Sequence, residues 1–310
     1  MVSRPTFRAT PVTIRVPATS ANLGAGFDCL GLALEIYDGY AAQVLDEPGL
    51  DVEIAGEGAE TLRKDEKNLV VASMNAAFDH MGGRPRGLAL RALNAIPHGR
   101  GLGSSSSAII GGLVLARSLV ISGTERLSDS DLLALATEIE GHPDNVAAAF
   151  HGGATIAWVE DGSGRAISIP VDLRIMAIAF IPTKAGEVAT KKARALLPES
   201  VPHIDAAVNI SRSTLMVEAL SRKPELLFAG TEDRIHQFYR QSQMPKSYEL
   251  MTTLREAGVA AFISGSGPTV LALHYGSVAD AQEIARAGEG AFTSQIVGVS
   301  AKGAHIFDLR

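Results

Sequence analysis

The stretch PHGRGLGSSSSA, residues 97–108, constrains this chain more than any other. Three glycines, Gly99, Gly101 and Gly103, alternate with larger residues and run into four serines, Ser104 to Ser107. A strongly apolar segment, residues 108–121, follows and has the length of a helix. Glycines let a backbone approach a ligand closely. The first turn of a helix has unpaired N–H groups and the positive end of the dipole. Together they make a phosphate cradle, to which serine hydroxyls add donors and a cation ligand. The motif is not the common P-loop, because no lysine follows its second glycine. By itself the segment reads equally well as a flexible turn capped by serine.

Hydrophobic spacing places strands at 12–16, 40–45, 51–54, 87–93 and 153–159, with a loop at 17–28. It places helices at 68–81, ending at Gly82 and Gly83, and at 128–140, with Ser128 and Asp131 as a capping pair. A short helix follows at 142–149. The turn-rich DGSG at 161–164 marks the domain division, giving units 1–165 and 166–310. Beyond it the pattern predicts strands at 174–181, 259–263, 269–274, 295–299 and 304–307. Helices are predicted at 187–196, 204–220, 232–240, 248–257 and 279–287.

Composition excludes several classes. Of 310 residues, 46% are hydrophobic and 20% charged, as in a globular chain with a real core. Lys and Arg number 28 against 34 Asp and Glu, a net charge of -6, which disfavours nucleic-acid binding. The single cysteine, Cys29, allows neither an intrachain disulfide nor a cysteine-rich metal site. The opening MVSRPTFRATPVTIRV has no apolar signal core, and 108–121 is too short and too charged to span a bilayer. A cytoplasmic protein without membrane contact is the expectation.

Three further clusters could carry chemistry. PATSANLGAGFD, residues 17–28, sets Asn22 and Asp28 around two glycines, suited to an amino or hydroxyl group or to an Asx-type turn. EGHPDNVAAAFHGG, residues 140–153, packs Glu140, His142, Asp144 and Asn145 into six positions. Glu140 ends a helix, where a carboxylate opposes the dipole and a cation would compensate it. Mg²⁺ in phosphate sites takes one or two protein oxygens, and no partner for His142 stands at zinc spacing. The alternative for Asp144 and Asn145 is capping of the next helix. SGSGPT, residues 264–269, sits between two apolar runs, as a hairpin turn or as a buttress of the first glycine loop.

In this order the four motifs resemble those of the GHMP kinases, which include galactokinase, homoserine kinase and mevalonate kinase. The motifs at 17–34 and 140–153 are similar to those of homoserine kinases in particular. The resemblance implies an α+β fold with an N-terminal ribosomal-protein-like domain and a C-terminal ferredoxin-like domain. It implies ATP and Mg²⁺, with L-homoserine as phosphoryl acceptor. Carried over by position, Ser105 and Glu140 would hold Mg²⁺, and Asn22, Asp28, His142 and Asn145 would surround the acceptor. Thr190, Arg194 and Arg240 match positions near the substrate, the arginines toward its carboxylate; Asn68 matches one near the base. Pro97, His98, Gly99, Arg100, Gly101, Leu102, Gly103, Ser104, Ser105, Ser106 and Ser107 form the phosphate motif. Some members carry a lysine there, where this chain has His98 and Arg100. Others use an Asp and a Lys beside the hydroxyl; Asp144 falls near that aspartate, but no lysine accompanies it. Direct attack by a hydroxyl oriented by Asn22 and Asn145 is therefore expected, with Asp144 as general base the alternative. Mevalonate or a related alcohol as acceptor, or a catalytically silent nucleotide-binding protein, are the competing readings. A homodimer is left open.

Overall fold

The computed structural model describes residues 4–184 and 190–307. Two sheets face each other across a shared apolar layer. The first is ordered β11-β1-β2-β4-β3. Its strands are β1 (Val12–Ala21), β2 (Leu30–Leu45), β3 (Gly49–Gly56), β4 (Gly87–Asn94) and β11 (His305–Ile306). A hairpin of β5 (Ala154–Glu160) and β6 (Ser163–Ile169) extends it by pairing β5 with Leu30–Leu32 of β2. The second sheet is antiparallel, ordered β10-β7-β9-β8, from β7 (Met176–Pro182), β8 (Ala260–Ile263), β9 (Val270–His274) and β10 (Phe292–Gly298). That order, with its helical crossovers, is the expected ferredoxin-like arrangement.

The helices complete the layers. α1 (Leu69–His80), α2 (Ser104–Leu119), α3 (Gly123–Arg126), α4 (Asp129–Glu140) and α5 (Asp144–His151) belong to the first half. The second half adds α6 (Thr190–Arg194), α7 (His203–Ser221), α8 (Leu227–Gly230), α9 (Gln237–Arg240), α10 (Pro245–Glu256) and α11 (Val278–Ala285). One core joins α1, α2, α4 and α5 to β1, β2 and β4, through Phe78, Leu113, Leu132 and Tyr40 among others. In the second sheet alternate residues face opposite cores. Ala177, Ala179, Phe262, Leu271 and Leu273 meet Leu30, Leu32 and Leu34 of β2 and Met216 of α7. Ile178, Phe180, Ala261, Ile263 and Val270 meet α10 and α11. Both faces being covered, these strands read in sequence as unbroken apolar runs. Among the described residues no helix is long and apolar enough to cross a membrane.

Several elements differ from the sequence expectation. The segment read as a loop from residue 17 stays in β1 as far as Ala21, across a register shift at Pro17/Ala18. α2 begins at Ser104, so the serines are its first turn. The 232–240 helix shrinks to α9. Before it, the Asp233 carboxylate accepts from the backbone N–H of Ile235, His236 and Gln237 at 3.1, 3.2 and 2.8 Å, an Asx-type turn competing with helix. Of the 187–196 helix, residues 190–194 are helical, and 187–189 lie outside the described residues. The DGSG turn joins β5 to β6, a polar strand absent from the expected set. A division at residue 165 thus falls within β6, and the C-terminal β11 pairs with β1 in the first sheet.

Candidate active site

The ends of β1, α2, α4, α5, α6 and α9 converge on one cleft, closed on one side by the 264–267 loop. Its floor is the phosphate motif. Gly99, Gly101 and Gly103 all have positive φ, and Gly103 (71°) is the N-cap of α2 without a side-chain cap. The first turn of α2 contains no acidic residue of its own either, and the carboxylate that meets its dipole end beside the cleft, Glu140, comes from α4. The loop is held from behind. Ser264 Oγ donates to the Gly101 carbonyl at 2.6 Å, and Thr269 N–H donates to that of Arg100 at 3.1 Å. The SGSGPT segment is therefore both the β8–β9 hairpin turn and a buttress of the first loop.

Across the floor, the Glu140 carboxylate at the end of α4 accepts from Ser105 Oγ at 2.7 Å and Ser106 Oγ at 3.1 Å. Ser107 points away, donating to the buried Asp38 at 2.8 Å. Beside Glu140, His142 Nδ1 lies 2.6 Å from Asp144 Oδ1, which also accepts from Asn145 N–H at 2.7 Å. Burial works against protonating His142. Hydrogen bonding to Asp144 and its charge, with Glu140 adding, nevertheless leave its pKa above the ordinary value.

The far wall is cationic. Arg194 Nη1 and Nη2 donate to the two Asp28 oxygens at 2.7 and 2.6 Å, a bidentate pair. Arg240 is only 3% exposed. Its Nη1 donates weakly to the Gly265 carbonyl at 3.3 Å, and its buried Nε has no partner. Burial and then repulsion from Arg194 lower its pKa. Both guanidiniums lie over the Phe27 ring, 5.6 Å (Arg194) and 5.3 Å (Arg240) from its centroid. Asn22, at φ 72°, donates to the Gly265 carbonyl at 3.1 Å and accepts from Asp28 N–H at 3.0 Å.

Residues 68–153 match the GHMP kinases N terminal domain and 216–291 the GHMP kinases C terminal family. A homoserine kinase of Streptomyces avermitilis is 54% identical, over 98% of both chains. One from Streptomyces coelicolor is 57% identical over 90% of this chain and 89% of its own. The chain belongs to the homoserine kinase family of GHMP kinases. The crystal structure of homoserine kinase from Cytophaga hutchinsonii superimposes with a TM-score of 0.82 at 27% identity, covering 97% of this chain and 98% of that one. A mevalonate diphosphate decarboxylase from Staphylococcus aureus shares the fold alone, at TM-score 0.67 and 14% identity.

Most of the residues singled out from the GHMP kinase motifs line this cleft: Asn22, Asp28, Gly99, Gly101, Gly103, Ser104, Ser105, Glu140, His142, Asp144, Asn145, Arg194 and Arg240. The others among the described residues do not line it. Leu102 is core, and Ser106 and Ser107 are buried beneath the floor. Pro97, His98 and Arg100 flank the loop. Asn68 caps α1, accepting from Val70 N–H at 3.0 Å and donating to the Arg63 carbonyl at 2.8 Å, so local backbone uses both ends of its amide. The Thr190 side chain lies outside the described residues. Asp28 departs from its expected role in one respect: its charge is already matched by Arg194. Ser264 and Gly265 belong to the fourth motif, read as a hairpin turn or a buttress, and Thr19 and Phe27 to the first, but neither Thr19 nor Phe27 is given a role of its own, because a hydroxyl or a ring carries no charge signature and their part depends on neighbours more than a hundred positions away.

Proposed function

We propose that this chain transfers the γ-phosphoryl group of ATP to the side-chain hydroxyl of L-homoserine, giving O-phospho-L-homoserine. The observation that carries the acceptor's chemistry is Arg240, a buried guanidinium whose Nε has no partner. A buried cation left in that state favours a ligand that brings a carboxylate. Homoserine has one, and the names of the relatives agree with it.

In this reading the glycine loop and the N-terminus of α2 bind the ATP phosphates. Ser105 and Glu140 fit a Mg²⁺: they are a hydroxyl and a carboxylate, hard oxygen donors, beside the phosphate loop. Among the described residues no cluster of three or more His, Cys, Asp or Glu competes with them, which suits an ion completed by phosphate and water. Such an ion, when bound, neutralises charge on the transferring group. Arg240 takes the homoserine carboxylate, and Asp28 shares its charge between Arg194 and the ammonium.

Each carboxylate of the cleft already accepts two hydrogen bonds: Asp28 from Arg194, Asp144 from His142 and Asn145 N–H, and Glu140 from two serines. These bonds fix the carboxylates in place, Asp144 and Glu140 each through a single oxygen, and in this reading none of them serves as a dedicated base. The hydroxyl, oriented by Asn145 with Asn22 shaping the loop, attacks directly as its proton passes to a phosphoryl oxygen, and positioning does most of the work. The same reading puts the enzyme in the cytoplasm, where ATP is supplied. The test is ADP release with homoserine, mevalonate, galactose and shikimate. Homoserine should lead in kcat/KM by at least about 30-fold, the factor corresponding to ~2 kcal/mol for one lost charge partner. Equal rates, or preference for an acceptor without an ammonium, would overturn the assignment.

A further inference from the structure

Thr19 lies in β1, three residues before Asn22, and is fully buried at 0% exposure. It makes two contacts that join separate parts of the site. Its backbone N–H donates to the Leu102 carbonyl of the phosphate loop at 3.0 Å. Its hydroxyl donates to Asn145 Oδ1, 126 positions away, at 2.8 Å. Its fit against the loop is close, for a Cβ added at Gly103 would stand 1.9 Å from Thr19 Oγ1. Thr19 therefore occupies the space between the start of α2 and the start of α5.

The direction of the hydroxyl bond matters. A side-chain amide has an accepting oxygen and a donating nitrogen, and it can be turned end for end at little intrinsic cost. With its oxygen held by the Thr19 proton, Asn145 keeps its Nδ2 donors for the cleft that it lines. A threonine is well suited to hold that orientation, because branching at Cβ limits its own rotation.

We propose that Thr19 is a positioning residue for phosphoryl transfer: it fixes the amide of Asn145 with its donor end toward the acceptor hydroxyl, in register with the phosphate loop. This rests on the reading of Asn145 given under Proposed function. An ordinary buried threonine satisfying its own hydroxyl would share the hydrogen bond but not the coupling, so the test must measure the coupling.

The experiment compares Thr19→Val, Thr19→Ser, Asn145→Ala and the Thr19→Val/Asn145→Ala double variant in steady-state turnover of ATP and homoserine, with a melting curve for each. Thr19→Val keeps the shape and removes the proton. It should lower kcat about 10- to 100-fold, the range for leaving a buried acceptor unpaired. Its KM for ATP should stay within about twofold of wild type, since the phosphate contacts are backbone. Thr19→Ser should recover most of the loss, and the double variant should be no slower than Asn145→Ala. Should Thr19→Val fold poorly, Thr19→Ala removes the same proton and is read the same way. Wild-type turnover in Thr19→Val beside a slow Asn145→Ala overturns the proposal alone. So do losses that multiply in the double variant, which would mean that Thr19 acts elsewhere. Wild-type turnover in Asn145→Ala overturns both the proposal and the role given to Asn145.

Discussion

Two arginines of similar promise in the sequence stand in different electrostatic states. Arg194 is charge-paired by a bidentate bond to Asp28, whereas Arg240 is more deeply buried and keeps an unpartnered Nε. If Arg240 receives the substrate carboxylate, Arg240→Leu should raise the homoserine KM by a factor corresponding to roughly 2–5 kcal/mol and leave the ATP KM nearly unchanged. A homoserine analogue without the carboxylate should be poor in wild type and lose little further in the variant. The cycle formed by enzyme and analogue isolates the interaction. Equal penalties for the analogue in both backgrounds would place Arg240 outside the acceptor subsite. Sequence alone does not separate the two arginines. Each is one cation among many, and their difference comes from a carboxylate in the first motif that only the fold brings to Arg194.

At the scale of elements, the phosphate loop and α2 are one unit, and Gly103 is the joint. Its φ of 71° is one that bulky side chains avoid, and an added Cβ would meet the Thr19 hydroxyl. Gly103→Val should therefore raise the ATP KM and reduce kcat, with local strain on the order of 1–3 kcal/mol. Unchanged nucleotide affinity in a folded variant would remove the loop from the phosphate site. This glycine was legible in sequence because its requirement is local. The start of α2 was not: serine is a middling helix former, and four in a row read as loop, yet at a helix start their polarity costs little. β6 was illegible because SGRAISI lies at a sheet edge, with no continuous apolar face to betray it. The 232–236 turn was hidden because its cause is one aspartate bonding to three backbone N–H groups. The cleft was legible residue by residue where charge or glycine marked it, and illegible where a hydroxyl or ring does the holding.

On the scale of the whole molecule, the two halves act as one body, because the core between the sheets draws on both and the second half grips the first motif. Asn209 Nδ2 donates to the Ala25 carbonyl at 2.7 Å, Gly265 N–H to that of Ala21 at 3.2 Å, and His236 Nε2 to that of Gly24 at 2.7 Å. His236 is fully buried and stacks on Phe27 with ring centroids 5.0 Å apart; with Nε2 donating, its Nδ1 is left without a partner. Burial pushes its pKa below the ordinary 6.5, outweighing the opposing charge of Asp233. In the unfolded chain the imidazole takes up a proton as pH falls through about 6.5; in the folded protein it resists until lower pH. Between these two values the unfolded state binds more protons, so this group makes stability fall as the solution is acidified and has no such effect at higher pH. His142, whose pKa is raised, contributes in the opposite sense, but it is common to wild type and to a variant at His236 and cancels in their difference. Denaturant unfolding of wild type and His236→Gln from pH 7.5 downward should thus show curves that converge below about pH 6.5, wild type losing its advantage at no more than about 1.4 kcal/mol per pH unit, the limit for one proton. Parallel curves would mean that the imidazole takes up its proton at the same pH in the folded and the unfolded chain, and curves that diverge on acidification would mean that it is protonated in the folded state, its charge held by Asp233.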